Sequence, residues 1–480
     1  MAEYLRPDVY VEDIPNAPVI EAVSSSTGGF MGIAERGKIN KAVFISSWND
    51  YLREFASGMA SPFMQNSDLA YSVYGFFQNG GKRCYVMRVG SDNAKQAVMK
   101  KSAGNNSNMV LKAKDEGAWG NGLAVNVTKN ELEENKFDIT VALNGEVVEV
   151  FSATDNDTTS QGYWVDIINV NSLYLEAVSG TVAATTSAIT FENGVDDISS
   201  VTDNTYINGL PYFDVADDMS LLCIPGQTSQ GVLNALMTYC LNKEYVFAIL
   251  DAPRASTMES VKELRKKLSC KNAGLYWPYI KVNDPLSKTG RLRECPTAGH
   301  VMGIYARTIQ ERGVWKAPAG TDAVVRGAID VVTTCTDGMQ DVLNPLAINV
   351  IRPKPNYGIV VWGARCLNPD TSMRYVSDIL LDINIKKSVF LGTQVFVFEP
   401  NAPETWNRVT TTIQEFLEGL RLDGALYGTA SQAYYVKCDE TTNPELVQKA
   451  GKMVTEVGYR NKKPAEFVIF RFSHNVASAE

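Results

Sequence analysis

Histidine, the side chain most often used for proton transfer and metal binding, occurs only twice in this chain, at His300 and His474. A Ser-His-Asp or Cys-His mechanism would have to rest on His300, because His474 falls in the last few residues. The neighbours of His300 are Ala298, Gly299, Val301, Met302 and Gly303. That is a small-residue helical stretch, which suits a packed or capping imidazole better than a catalytic one. The eight cysteines (Cys84, Cys223, Cys240, Cys270, Cys295, Cys335, Cys366 and Cys438) form no CxxC pair and cluster with no histidine, so no zinc site is spelled out. They read as buried, reduced thiols. The phosphate-cradling patterns GxxxxGK[ST] and GxGxxG are absent, as is the calcium-loop pattern, and no cofactor is called for. Asp196-Asp197 and Asp217-Asp218 read as loop acids, and Trp119 to Gly122 as a turn. One acid remains. Asp251 follows an apolar run at 246–250, with Arg254 close by. The carboxyl end of a parallel strand is where α/β enzymes place reactive groups. Yet an acid that ends a strand and begins a turn is common without function. An α/β enzyme using Asp251 and His300 is the single catalytic reading to test.

The elements that would position these residues form an α/β pattern. Strands are predicted at 29–33, 41–45 and 84–89, and a helix at 68–79. Asp68 is placed to cap that helix, Leu69, Val73, Phe76 and Phe77 to form its apolar face, and Gly80 and Gly81 to end it. Residues 219–280 then read as βαβαβ. The strands fall at 220–224, 246–250 and 274–279, and the helices at 229–242 and 258–268. Alternation of this kind implies a largely parallel sheet. Between the two α/β parts, from about 92 to 205, Asn, Asp, Thr, Ser and Gly dominate. Short alternating runs appear there at 123–127, 137–143, 147–151 and 187–191, the texture of an inserted antiparallel β domain with exposed polar loops. The clearest helix is 402–421, with Trp406, Val409, Ile413, Phe416, Leu417 and Leu420 on one stripe. Asn401 is placed to cap it, with Glu404 completing a capping box.

Length and charge narrow the class. A chain of 480 residues is too long for one ordinary core, so two or three domains are expected. The 54 acidic and 45 basic residues leave a formal charge of -9, which argues against a nucleic-acid binder and against a polybasic membrane anchor. No secretory leader is evident and no apolar run is long enough to span a bilayer.

Both ends of the chain are strand-formers without a local partner. Residues 8–14, bracketed by Pro7 and Pro15, alternate as an extended strand that no tight turn pairs with the next one. Residues 466–472 (EFVIFRF) are a second strongly β-prone run. Unpaired strands at opposite ends allow strand addition between copies. Donor and acceptor surfaces differ, so such a contact is heterologous and builds rings or helical filaments.

Specific stretches carry a family resemblance almost from end to end: 9–15 (VYVEDIP), 29–32 (GFMG), 34–37 (AERG), 76–86 (FFQNGGKRCYV), 248–253 (AILDAP), 361–365 (VWGAR), 398–401 (FEPN), 424–428 (GALYG) and 463–468 (KPAEFV). In this order they resemble the phage tail sheath proteins, a family shared by myophages, contractile bacteriocins and related injection systems. The stretch 92–205 carries no match, as befits a variable outer domain. The resemblance implies a mixed, largely parallel α/β core with an inserted antiparallel β domain and extended terminal arms. It divides the chain into an N-terminal linking arm at 1–20, core at 21–91, outer domain at 92–205, core with a tube-facing subdomain at 206–463, and a C-terminal linking arm at 464–480. It implies arms that add strands to neighbouring copies, through Val9, Tyr10, Val11, Glu12 and Ile14 at one end and Phe467, Val468, Ile469, Phe470 and Phe472 at the other. The tube-facing element is expected in helix 402–421, with Glu404, Arg408, Glu415, Glu418 and Arg421 exposed, although an ordinary solvated helix face would look the same. The implied partners are further copies of the chain, an inner tail tube protein, baseplate proteins and a tail terminator, without nucleic acid or membrane insertion. The implied location is a virion tail or tail-like particle assembled in the bacterial host cytoplasm. A third reading, a tube or baseplate component, fits less well, because a tube protein should be a small β-barrel and 219–280 is βαβαβ.

Overall fold

Apolar β-branched runs with no polar alternation belong in a sheet covered on both faces, and the eight-stranded sheet built between residues 28 and 361 is one. The computed structural model describes residues 20–57, 62–100 and 108–469. Across the sheet the strands run Gly358–Val361, Ile348–Lys354, Ala273–Trp277, Phe247–Asp251, Leu221–Cys223, Gly28–Gly32, Cys84–Arg88 and Ala42–Ile45. The six inner strands are mutually parallel, and one antiparallel strand closes each edge. Successive residues of Gly28–Gly32 serve opposite layers. Phe30 meets Phe76 of the helix Leu69–Gln78 edge to face. Met31 joins a core with Val232, Leu233 and Leu236 of the helix Gln230–Lys243, which Ser229 caps. The strands and helices expected at 219–280 are present as Leu221–Cys223, Gln230–Lys243, Phe247–Asp251, Met258–Lys266 and Ala273–Trp277.

Helix Leu69–Gln78 crosses the fully buried N-terminal half of helix Ala298–Arg312 at very short range. A Cβ added at Gly303 would come within 2.5 Å of the Phe76 carbonyl oxygen. One at Gly299 would overlap the Ser72 carbonyl, and one at Gly75 the His300 ring. The small residues around His300 are thus required by helix packing. The expected cap on Leu69–Gln78 is corrected. Asp68 makes no side-chain cap bond, because its carboxylate is taken by Arg254 and Arg293, and the Ser67 hydroxyl accepts from Leu69 N instead. Phe77 is only half-buried.

Residues 92–198 leave the body and build their own seven-stranded sheet. Its order is Glu146–Thr154, Phe137–Leu143, Leu123–Lys129, Ile189–Glu192, Val98–Met99, Val110–Ala113 and Leu175–Ser179, with every pair antiparallel. Alternate residues such as Val125, Val141 and Leu175 fill a separate core around Trp164 of the helix Trp164–Asn171. The chain enters and leaves this domain side by side. Ser91 Oγ and Asn93 Nδ2 both donate to Asp197 Oδ2, at 2.7 and 3.2 Å, and Lys95 pairs with Val195 through the backbone.

The described residues of 24–380 form one compact unit, and those of 20–23 and 381–469 form another. The division falls inside the helix Val376–Gly392. In the second unit the helix Pro403–Leu422 buries Trp406, Val409, Ile413, Phe416, Leu417 and Leu420, the stripe read from the sequence. Its expected capping box is absent. Ala402 occupies the cap position without a side-chain bond, and Asn401 instead accepts from Trp406 Nε1 and donates to the Lys452 carbonyl. Strands Tyr434–Lys437 and Glu456–Tyr459 pair as a two-stranded antiparallel sheet.

Candidate functional site

The strand order reverses direction between Gly28–Gly32 and Leu221–Cys223, and the crevice at the carboxyl ends of such a pair is where open α/β sheets bind ligands. Here that position is closed by the chain itself. Ser67 Oγ donates to the Ile33 carbonyl at 2.6 Å. A Cβ on Gly226 would lie 2.6 Å from Asp68 Oδ2. Asp68 is in turn clamped by Arg293 at 2.7 Å and Arg254 at 3.0 Å. Arg254, expected beside Asp251, therefore serves Asp68.

Asp251 is buried at the next strand end and accepts four hydrogen bonds. Thr297 N and Ala298 N donate to Oδ1, each at 2.8 Å, and Thr297 Oγ1 at 3.1 Å; Gly226 N reaches Oδ2 at 3.3 Å. The carboxylate thus caps the N-terminus of helix Ala298–Arg312, where its charge opposes the helix dipole. Burial pushes its pKa up to about 6, with the Ala298 and Gly226 amides pulling the other way. Two positions past Ala298, His300 is buried against Gly75, and desolvation pulls its pKa down to about 4. Its Nδ1 has no hydrogen-bond partner among the described residues. The pair carried forward as catalytic is thus a filled helix cap and a neutral packed imidazole. The eight cysteines are all buried, and burial raises the thiols of Cys84, Cys223, Cys240 and Cys295. No group of three His, Cys, Asp or Glu able to hold a metal ion occurs among the described residues, and none of their helices is long and apolar enough to cross a membrane.

The terminal strand residues divide. Val9, Tyr10, Val11, Glu12 and Ile14, with Phe470 and Phe472, lie outside the described residues. Phe467, Val468 and Ile469 are exposed and belong to no strand. Both described ends are fastened to the same unit. Val23 N donates to Ser388 Oγ and Asn384 Nδ2 to the Val23 carbonyl, while Ile20 packs against Gly392. At the other end Tyr459 Oη donates to Asp382 Oδ1 at 2.5 Å, and Tyr427 N to the Arg460 carbonyl.

Of the proposed tube-facing residues, Glu404, Arg408 and Glu415 are exposed on one face of Pro403–Leu422. Arg408 pairs with Glu399 at 3.1 Å and lies over Phe396. Glu418 and Arg421 were expected on the same exposed face. They are half-buried, bound to each other at 2.6 Å, and Tyr434 Oη donates to Glu418. No pattern in the sequence marks the segment before this helix. At the end of the helix Val376–Gly392, Phe390 and Leu391 are about half exposed; in the segment that follows, Val395 and Val397 are about half exposed and Phe398 is fully exposed with φ +70°. A bulky residue in that left-handed region is strained. Two further residues were missed. Arg36, 1 % exposed, donates to the carbonyls of Leu173 and Arg53 and stacks 4.4 Å from the Tyr174 ring. Arg88, 3 % exposed, donates to the carbonyls of Gly37 and Glu116 and to Asp196. These two guanidinium groups join the inserted domain to the body. Trp119, expected in a simple turn, lies beneath Arg36 at 5.6 Å.

Comparison with known proteins finds a family match over part of the chain. Residues 200–367 match the phage tail sheath protein central domain. The tail sheath protein of Salmonella phage ViI is 23% identical over 356 residues, 70% of this chain and 54% of that protein, so the chain spans about half the length of the curated relative it matches. Among solved structures, the contracted helical sheath of the anti-feeding prophage aligns over 98% of this chain and 99% of its own, with a TM-score of 0.62 and 23% identity. A chain of the six-fold symmetrised anti-feeding prophage baseplate aligns over 98% of this chain and all of its own, with a TM-score of 0.62 and 24% identity. At those identities the likeness to the solved chains is one of fold. Residues 200–367, which carry the switch-point strands' second half and the Asp251 cap, are the part of the chain that matches the phage tail sheath protein central domain.

Proposed function

We propose that this chain is the structural subunit of a contractile tail sheath, polymerising helically around an inner tube and acting without catalysis. The observation that carries the polymerising part is the unit that holds both chain ends. Its two-stranded sheet, Tyr434–Lys437 with Glu456–Tyr459, pairs with no further strand among the described residues; beyond Tyr459 the chain meets its own residues 425–427 through single backbone bonds, and the strands themselves keep unpaired outer edges. On the same unit Phe467, Val468 and Ile469 lie exposed and unpaired into any sheet, with the β-prone residues 470–472 following. A two-stranded sheet is marginal by itself, and strands donated by neighbouring copies complete it. The arms 1–20 and 464–480 serve as those donors. Donor and acceptor differ, so the lattice is an open helix. Contraction repacks the bodies while the arms keep the lattice connected, and the free energy stored at assembly drives the tube through a target envelope. The family match supports the sheath identity. Glu404, Arg408 and Glu415 form the polar contact with the tube, and the lattice begins on a baseplate and ends at a terminator. The particle, a virion tail or tail-like device, is assembled in the host cytoplasm. A closed switch point, a filled Asp251 cap and a neutral His300 favour a structural role over an α/β enzyme.

Negative-stain microscopy of the purified full chain tests the reading. Tubes or rings are expected, and removal of residues 1–18, or of those after Ala465, should leave folded, unpolymerised protein. Truncated chains that still polymerise normally would refute strand exchange.

A further inference from the structure

The charge of this chain is unevenly placed. Residues 92–198 hold sixteen acidic residues against seven lysines, with no arginine or histidine, a formal charge of -9. The chain as a whole is also -9, so everything outside the inserted domain is balanced, with 38 acids and 38 bases. Nine of the sixteen acids, among them Glu131, Glu134, Glu146 and Asp166, are exposed. Among the described residues, the buried guanidinium groups that reach into the domain, Arg36 and Arg88, belong to the body. The domain also hangs on one narrow crossing, with Ser91 and Asn93 bound to Asp197, and has its own core. The acidic surface is therefore displayed by a module that the body's sheet does not need for its strands. A protein surface near zero net charge tends to associate, whereas one far from zero disperses. The two properties have been given to two parts of one chain.

We propose that the inserted domain is the electrostatic shield of the assembly: its acidic surface faces the same surface on other assembled particles and keeps them from joining side by side, while the neutral remainder is left free to polymerise. This rests on the polymer reading above. Repulsion between like surfaces scales with the product of their charges, and it reaches roughly 30 Å at 10 mM salt but only about 8 Å at physiological ionic strength. The shield is therefore strongest in dilute media and is removed by salt.

The test compares two full-length variants of equal net charge. One carries Glu131→Gln, Glu134→Gln, Glu146→Gln and Asp166→Asn, which takes the inserted domain from -9 to -5 and its self-repulsion to roughly a third. The other carries Asp217→Asn, Glu259→Gln, Glu311→Gln and Asp341→Asn, exposed body acids, which leaves the domain at -9. Light scattering and microscopy follow bundling of assembled particles as sodium chloride is raised from 10 mM. The insert variant should bundle at a several-fold lower salt concentration than wild type, and the body variant at the wild-type concentration. Equal onsets for the two variants, or no shift in the insert variant, overturn the proposal. If the full chain forms no polymer, the sheath reading fails by itself, and the shield is read on protomers. There the second virial coefficient at 10 mM salt should fall in the insert variant alone, and an equal fall in both variants overturns it.

Discussion

Replacing His300 with leucine isolates the electrostatic cost of a buried imidazole. In the folded chain the ring is fully enclosed against Gly75, and burial holds its pKa near 4. In the unfolded chain it titrates near 6.5. The folded pKa is depressed, so below about 6.5 the unfolded state takes up a proton that the fold excludes. The stability is complete above 6.5 and is lost as pH falls towards 4. At pH 5 the gap amounts to about 2 kcal/mol relative to pH 7.5. Asp251 runs the other way. Its pKa is raised to about 6, so its contribution is lost as pH rises from about 4 through 6. Both proteins share that term, and it cancels in the comparison. Leucine fills a similar volume and removes an Nδ1 that has no partner among the described residues, so His300→Leu should be within about 1 kcal/mol of wild type at pH 7.5. Urea unfolding of both proteins at pH 7.5 and pH 5 measures the effect. Wild type should lose about 2 kcal/mol more than the variant on acidification. Identical pH dependence in the two would refute a neutral, buried His300. A histidine-labelled spectrum gives a direct check, since the chain has only one other histidine to assign.

Asp251→Asn should lose about 1–3 kcal/mol in urea unfolding, because an amide N–H would then face one of the four donors that the carboxylate now accepts; wild-type stability would remove the capping account. Gly303→Val places a Cβ against the Phe76 carbonyl and should abolish soluble expression, whereas Gly419→Ala, in the open interior of Pro403–Leu422, should raise stability by about 1 kcal/mol. Arg36→Ala with Arg88→Ala should free the inserted domain. Limited proteolysis near residues 91 and 197 should then accelerate by about two orders of magnitude, as expected for losing roughly 3 kcal/mol of docking.

Period and punctuation made the α/β body readable. The strands of 219–280 are short apolar runs between capped helices, and such runs form the same element in almost any context. The stripe of Pro403–Leu422 was equally plain. Capping failed at both places where it was assigned to a side chain. Asp68 and Asn401 have better partners far off in sequence, Arg293 at one and Lys452 at the other, and no local window contains them. In the inserted domain the long hairpin strands were legible because they alternate. Val98–Met99 and Leu175–Ser179 were not, being short and defined by cross-strand pairing alone. The candidate site was read in its chemistry and missed in its mechanics. Scarcity of histidine and lack of phosphate or metal motifs were visible at once. That Asp251 caps a helix 46 residues away, or that Arg36 reaches Leu173, depends on tertiary closure.

The narrow crossing at Ser91 and Asp197 also bears on how the chain is made. Neighbouring strands Gly28–Gly32 and Leu221–Cys223 are separated by nearly two hundred residues of synthesis. At ribosomal speeds of roughly 5–20 residues per second the first half-sheet waits on the order of ten seconds for its partner. The intervening segment has its own core, so it is complete before that partner emerges. Once folded, it holds 91 beside 197 and shortens the open loop from Arg88 to Leu221 about fivefold, saving about 1.4 kcal/mol of closure entropy. The module is thus a scaffold in time: by finishing first, it returns the nascent chain to the half-built sheet.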